Sequence, residues 1–225
     1  MMQPIEDPKR VKSVFCLAAA CLLLLASCSM PYWPMSDHPV SLHMVVHIML
    51  FLICGPLFVI GLPARWHRPW LLRLSRFLFT HRWLAWLGGT AIMWIWHVPV
   101  FYNASMAMHG FLLFSFFHQV SLVAGGMLFC WPLFAPYPLY RIHPLGGILY
   151  LATSCISCSL MGLLIAFTPQ HVYRHSGQED LQTAGLIMWV PGCIIYLSGC
   201  LYLFWLWLRK EKEDIAIISP INKYQ

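Results

Sequence analysis

Residues 40–62 read VSLHMVVHIMLFLICGPLFVIGL, an apolar run without a single Asp, Glu, Lys or Arg. About 20 such residues are enough to cross a bilayer as a helix. Comparable runs cover about 83–102, 110–134, 145–168 and 182–208. Lipid does not tolerate unpaired backbone groups, and nothing here alternates as barrel strands do, so we expect helices. The predicted fold class is all-α: a polytopic transmembrane helical bundle with five firm spans within residues 30–208.

The overall composition agrees with a membrane location. Only 10% of the 225 residues are charged and 60% are hydrophobic, with a mean hydropathy of +0.68. Soluble domains carry about a quarter charged residues. The net charge of +6 does not indicate nucleic-acid binding, because the positions of the basic residues follow the predicted membrane topology. No nucleic-acid partner is therefore expected.

The N-terminal segment, residues 1–29, allows two interpretations. A basic stretch at 9–12 precedes an apolar run at 13–26 and ends in small residues up to Cys28, as in a signal peptide. Residues 25–28 (LASC) also resemble a lipobox, in which the cysteine would be lipidated. The alternative is an uncleaved first transmembrane helix, which would make a sixth span.

The basic residues predict the orientation. With the N-terminus inside, 13 of the 14 Lys and Arg residues lie on the inner side, and only Arg174 lies outside. The positive-inside rule therefore places residues 209–225 in the cytoplasm as a tail, together with the N-terminus if the first segment is retained. The inner segment 63–82 carries arginines on one helical face, which predicts a short helix bound to membrane lipid headgroups.

Glycines and thiols within the spans are expected to serve packing. Paired glycines at 88–89, 125–126 and 146–147 permit close helix approach. Cys155 and Cys158 form a CxxC pattern near the middle of a predicted span. Thiols so far from water stay protonated, so helix packing is favoured over metal or redox chemistry.

Histidine placement is the main functional signal. Eight of the eleven histidines are expected on the outer side or in the outer half of the spans: His38, His43, His47, His97, His109, His118, His171 and His175. An ionisable group inside a bilayer is costly, so such residues are candidate functional sites.

Four of these histidines are expected to meet at one level of the bundle. His43 and His47 are four residues apart and share a helix face. At about 1.5 Å per residue, His47 lies roughly 10 Å below the outer end of its span. His97 lies one to two turns, and His118 roughly 12 Å, below the outer end of its own span.

The residue types at this level favour a soft metal ion. The candidate ligands are His43, His47, His97, His118, Met44 and Met188. Imidazole and thioether groups without carboxylates favour copper, especially Cu(I), although several imidazoles also suit zinc. His109 would receive metal from a periplasmic copper carrier. Asp180 starts the last span, where it either caps that helix or orients a metal-bound histidine.

Other interpretations remain open. A single histidine on an apolar helix often only hydrogen-bonds a neighbouring helix. His97 and His118 on facing helices would also suit a b-type haem that carries electrons. A copper permease would need ligands continuing inward, where the sequence offers Cys54, Cys130 and scattered methionines.

An ordered set of short motifs spans residues 38–208. They are SLHMVVH at 41–47, GPL at 55–57, GLP at 61–63, WIWHVP at 94–99, YNA at 102–104, His118 with AG at 124–125, WP at 131–132, GLL at 162–164 and DLQTAGLIMWVPG at 180–192. In this set the chain strongly resembles the CtaG-type cytochrome c oxidase assembly family of bacterial membrane proteins.

The resemblance implies a non-enzymatic, multi-pass protein of the bacterial cytoplasmic (inner) membrane. Its expected partners are the subunits of a haem–copper oxidase, which it would help to mature by delivering copper from the outer side. By position, the resemblance carries over His43, His47, His97, His118 and Asp180 as the matching polar residues.

Overall fold

A computed structural model describes residues 8–29, 39–62, 68–107, 112–174 and 176–218. In these ranges every regular element is helical, which confirms the predicted all-α class. The elements are α1 (Pro8–Ser29), α2 (Pro39–Ile48), a π-helical segment (Met49–Cys54), α3 (Gly55–Gly61), α4 (Pro69–Thr80), α5 (Arg82–Ile95), α6 (Pro99–Ala107), α7 (Leu112–Phe134), a 3₁₀ turn (Pro138–Tyr140), α8 (Pro144–Phe167) and α9 (Gln178–Ile218).

Four helical rods of the described chain are long and apolar enough to cross a membrane: Val40–Gly61, Leu113–Phe134, Pro144–Phe167 and Gln178–Lys212. They correspond to four of the five predicted spans. The first rod joins α2, the π-helical segment and α3 without interruption. The last helix, α9, continues beyond the predicted span, because the next residues along the chain include Arg, Lys and Glu, which favour helix. Residues 209–218 of the predicted tail are therefore helical.

The third predicted span, 83–102, differs from the prediction of a single helix. Helix α5 ends at Ile95, and α6 starts only at Pro99 after a turn. Proline has no N–H to donate and disfavours helical backbone at the residue before it, so helices commonly end in front of it, as α5 does before Pro99. The turn contains His97, which therefore does not lie on a regular helix.

Helix α1 packs into the bundle. Ala20 and Ser27 on this helix are fully buried. The Cys54 thiol of the π-helical segment donates to the Ala20 carbonyl over 3.2 Å. The Ser27 hydroxyl lies 3.0 Å from Gln119 Oε1 on α7. The side chain of Cys28, the predicted lipidation position, lies outside the described residues.

Two pairs of glycines bring helix backbones together. A Cβ atom on Gly55 would lie 2.7 Å from the Gly126 carbonyl carbon, so α3 and α7 meet backbone to backbone. A Cβ atom on Gly162 would lie 2.8 Å from the Gly185 carbonyl oxygen, which joins α8 to α9 in the same way. Gly146, in contrast, has nothing within 4 Å of such an atom.

The two ends of the bundle have different chemistry. One end, called the loop end, holds the start of α2, the start of α9, the α5–α6 turn and the loop 168–174. At the other end, α4 buries Leu71, Ser75 and Leu78 and exposes Arg73 and Arg76. This is the short amphipathic helix predicted in segment 63–82.

We expect Gly162→Ala to destabilise the bundle by about 1–3 kcal/mol, since its methyl group would overlap the Gly185 backbone. Gly146→Ala in the same helix is the matched control, and there the higher helix propensity of alanine should raise stability slightly. The measurement is thermal unfolding in detergent. Equal midpoints for the two variants would contradict the close α8–α9 contact.

Candidate metal centre

Three histidines converge in the interior at the loop end. One ring nitrogen of each of His43, His47 and His97 lies within 4.8 Å of the others. Their side chains are 6%, 1% and 2% exposed, respectively. In the described part of the chain this is the one group of at least three histidine, cysteine or acidic side chains with such geometry. We call these three residues the histidine cluster.

Local backbone structure brings the three rings together. His43 and His47 are one turn apart on α2, with ring centroids 6.2 Å apart. The α5–α6 turn then brings in His97, whose ring centroid is 5.4 Å from that of His43 and 4.5 Å from that of His47. The helix break before Pro99 therefore contributes directly to the site.

The hydrogen bonds of His97 determine its tautomer. Its Nδ1 lies 2.6 Å from the Met93 carbonyl oxygen, which can only accept, so Nδ1 carries the proton. In the neutral ring Nε2 then has a free electron pair. Nε2 lies 3.2 Å from Sδ of the buried Met44, which also offers an electron pair. A backbone carbonyl that accepts from one ring nitrogen while the other faces a second donor atom is the usual setting of a metal-bound histidine.

His47 is the most unusual member of the cluster. Both of its ring nitrogens are buried, and neither has a hydrogen-bond partner in the described part of the chain. Buried polar side-chain atoms are nearly always hydrogen-bonded, so an exception requires an explanation. Its ring packs against Phe51 at 5.8 Å on one side and His97 on the other.

His118, the fourth predicted ligand, flanks the cluster. Its ring stacks on His43 with centroids 5.0 Å apart and planes 9° apart. It also lies edge to face with Trp96 at 4.4 Å. His118 is not in the group whose nitrogens all lie within 4.8 Å of one another. The stack fixes the plane of the His43 ring.

Asp180 holds the helix that carries two of the histidines. Its carboxylate accepts hydrogen bonds from the backbone N–H groups of Val40 and Ser41, both at 3.0 Å. The Ser41 hydroxyl donates in return to the Asp180 carbonyl over 3.2 Å. The sequence suggested that Asp180 caps its own helix or orients a histidine, and these contacts add a cap at the start of α2. They set the height and rotation of α2, and with them the positions of His43 and His47.

The remaining predicted site residues lie elsewhere. Met188 is buried on α9, where its carbonyl accepts from the Cys158 thiol over 3.4 Å. The other cysteine of the CxxC pattern, Cys155, lies 3.3 Å from Cys193 on α9, sulfur to sulfur. Both cysteines therefore contact α9. His109 lies outside the described residues, as do His38 and His175, and His171 is exposed in the loop 168–174.

Three residues next to the cluster were missed as site residues: Trp96, Tyr102 and Tyr173. The Tyr102 ring lies edge to face with His43 at 5.3 Å, and the Tyr173 hydroxyl donates to the His97 carbonyl over 2.7 Å. Trp96 and Tyr102 belong to the motifs at 94–99 and 102–104, which could have revealed them. Tyr173 comes from a loop and has no comparable sequence signal.

The family model described as cytochrome c oxidase caa3 assembly factor (Caa3_CtaG) matches residues 5–210. The chain belongs to this family. The resemblance drawn from the short motifs is thereby confirmed, and the match includes α1, the histidine cluster, three apolar rods and most of the fourth. No curated protein and no solved structure matches the chain. The chain is therefore a helical membrane protein of a family whose role is cytochrome c oxidase assembly.

We expect His47→Leu to stabilise the metal-free protein by about 1–3 kcal/mol. The change removes two buried nitrogens that lack hydrogen bonds, and leucine suits an apolar site. His81→Leu, at a histidine whose Nδ1 contacts the Phe77 carbonyl, is the control and should not stabilise. The measurement is thermal unfolding of protein stripped with a chelator. A lower midpoint for His47→Leu would assign this ring a purely structural role.

Proposed function

We propose that this assembly factor holds a copper ion, as Cu(I), between His43, His47 and His97 and passes it to a cytochrome c oxidase during maturation. Copper is cargo in this proposal, and the chain itself catalyses no reaction. Its four neutral donor groups are the three imidazoles and the Met44 thioether.

The observation that carries the proposal is the state of His47. Two buried nitrogens without hydrogen bonds make the metal-free state less stable than an apolar side chain would. A bound cation would occupy an electron pair on this ring. The same cation would separate His97 Nε2 from Met44 Sδ, two electron-pair donors that face each other at 3.2 Å.

The donor set favours Cu(I) over harder or more highly charged ions. Imidazole and thioether are soft or borderline ligands, and carboxylates, which calcium and magnesium prefer, are absent from the three-residue group. Transfer of an ion from water into an apolar interior is strongly unfavourable, and the Born free energy rises with the square of the charge. With neutral ligands alone, a monovalent ion is therefore favoured over Zn²⁺.

Copper binding requires a modest contraction of the cluster. Nitrogens bound to one ion at about 2 Å lie roughly 3–4 Å from each other, whereas those of the cluster extend to 4.8 Å. Rotation of the His43 and His47 rings about their side-chain torsions would bring the ring nitrogens closer together, since both rings lie on one helix face. The stacked His118 ring would follow His43.

We place the loop end on the outer side of the inner membrane. The support is the distribution of Lys and Arg, of which only Arg174 lies at the loop end. The exposed His171 and the surface-predicted His109 are suited to receive copper from a periplasmic carrier. A site near this end lets copper reach an oxidase without crossing the whole bilayer.

Fusions to alkaline phosphatase test this orientation. The enzyme needs disulfides and is active only outside the cytoplasm. We expect activity when it is joined after Gly177 and none when it is joined after Arg141. Activity at Arg141 alone would invert the proposed topology and the side of copper delivery.

Copper content tests the cargo. Protein purified after anaerobic loading with Cu(I) should hold about one copper per chain, and the double variant His43→Ala/His47→Ala should lose most of it. The matched control, His81→Ala/His143→Ala, removes two histidines outside the cluster and should retain copper. Cells with the first variant should also lose most cytochrome c oxidase activity.

Three outcomes would count against the proposal. Stoichiometric copper in the His43/His47 variant would remove the cluster as its site. A Soret band in the purified protein would favour a haem held by His97 and His118. Copper uptake into vesicles that depends on this chain would favour a permease.

A further inference from the structure

The loop 168–174 is fastened to α6 by one side chain. Asn103 Nδ2 donates to the Val172 carbonyl over 3.0 Å, and the Arg174 N–H donates to Asn103 Oδ1 over 2.9 Å. The amide thus pairs with the backbone on both sides of Tyr173, much as a neighbouring strand would. This pairing fixes the direction in which the Tyr173 side chain points.

Tyr173 points inward from this loop. It is only 4% exposed, although both neighbours are more accessible. Its hydroxyl donates to the His97 carbonyl over 2.7 Å. Burial raises the pKa of Tyr173 to about 12, so the hydroxyl stays protonated and remains a donor at physiological pH.

A second contact extends from Tyr173 to the histidine cluster. The Tyr173 ring lies edge to face with Tyr102 at 5.2 Å, and Tyr102 lies edge to face with His43 at 5.3 Å. Tyr102 is fully buried between them. One loop residue therefore contacts the backbone of one cluster histidine and, through a single ring, the side chain of another.

We propose that Asn103 and Tyr173 form a latch that closes the loop end over the histidine cluster and controls access to it. Tyr173 covers the turn that carries His97, and Asn103 keeps Tyr173 inserted. The proposal rests on the function proposed above, in which the cluster holds copper. With the latch closed, copper is retained and shielded from water; with it open, copper is loaded or released.

The latch has the bonding expected of an element that opens often. Besides the packing of the Tyr173 ring on Tyr102, three hydrogen bonds between neutral groups hold it, each of modest net strength in a protein. Loops of this kind open on their own without unfolding the helices beneath them. The base of the loop stays tied independently, because Gln178 Nε2 donates to the Ala166 carbonyl over 3.4 Å.

Chemical access to the histidines in metal-free protein gives the first test. Diethyl pyrocarbonate modifies accessible imidazoles, and mass spectrometry assigns the modified residues. In Asn103→Ala, which loses two hydrogen bonds, we expect His43 and His97 to react about tenfold faster than in the unaltered chain. Tyr173→Phe keeps the ring and loses one hydrogen bond, so a smaller increase is expected. Gln182→Ala and Tyr202→Phe, which alter exposed side chains of α9, are the controls and should react at the unaltered rate.

Copper exchange gives the second test. Protein loaded with Cu(I) is mixed with a coloured Cu(I) chelator, and loading is measured in the reverse direction. In Asn103→Ala both rates should rise about tenfold with an unchanged dissociation constant, because a latch affects passage and not the ligands. A merely structural role would instead lower the affinity for copper, and so change the ratio of the two rates, or would lower the unfolding midpoint.

The two proposals fail in distinguishable ways. An unchanged histidine modification rate in Asn103→Ala would overturn the latch, whatever the copper content of the protein. Faster modification in a chain that binds no copper would support the latch as an access control and overturn copper as its cargo. Copper binding with unaltered exchange rates would likewise reject the latch and leave the cluster as the copper site.

Discussion

A polar ring inside a membrane-spanning bundle needs a partner for each nitrogen, and this requirement dominates the loop end of the molecule. His47 is buried to 1% exposure with neither nitrogen hydrogen-bonded in the described chain, beside His43 and His97. Lipid offers such a ring no hydrogen-bond partner. The neighbouring His97 has its proton committed to the Met93 carbonyl and turns an electron pair toward the cluster. His97 Nε2, the Met44 thioether and the rings of His43 and His47 thus lie together in the interior, and the proposed copper site is built on these groups.

The rest of the bundle holds this arrangement in place. Asp180 caps the start of α2 from the neighbouring α9, and Gly55 locks the lower end of the same rod against Gly126. Between these anchors the π-helical segment Met49–Cys54 accommodates an extra residue and so rotates α3 relative to α2. The histidine face and the glycine face of one rod can therefore each meet their own neighbours. π-Helical turns often occur at functional sites.

Family membership and site chemistry answer different questions about this protein. The family match covers residues 5–210 and establishes a role in cytochrome c oxidase assembly. It does not name a cargo, and the proposal of copper comes from neutral imidazole and thioether groups gathered in one buried volume. Tyr173 and Asn103 connect the loop to this site through hydrogen bonds between neutral groups, and the proposed latch is built on these contacts.

Much of this could be predicted from residue pattern, for physical reasons. Apolar runs of bilayer length require helices, and a four-residue spacing places His43 and His47 on one face; both inferences depend only on local geometry. Pro99 is a residue type that favours a helix end in front of it. The apolar run around Pro99 is long enough for one span, however, and a single helix was predicted on that length. Asp180 capping α2 and Tyr173 reaching His97 join residues far apart in sequence. Such contacts depend on which helices are neighbours and on how each helix is rotated about its axis. Close backbone packing at glycines sets the neighbours and the rotations. These long-range contacts are therefore defined only when the whole bundle has folded.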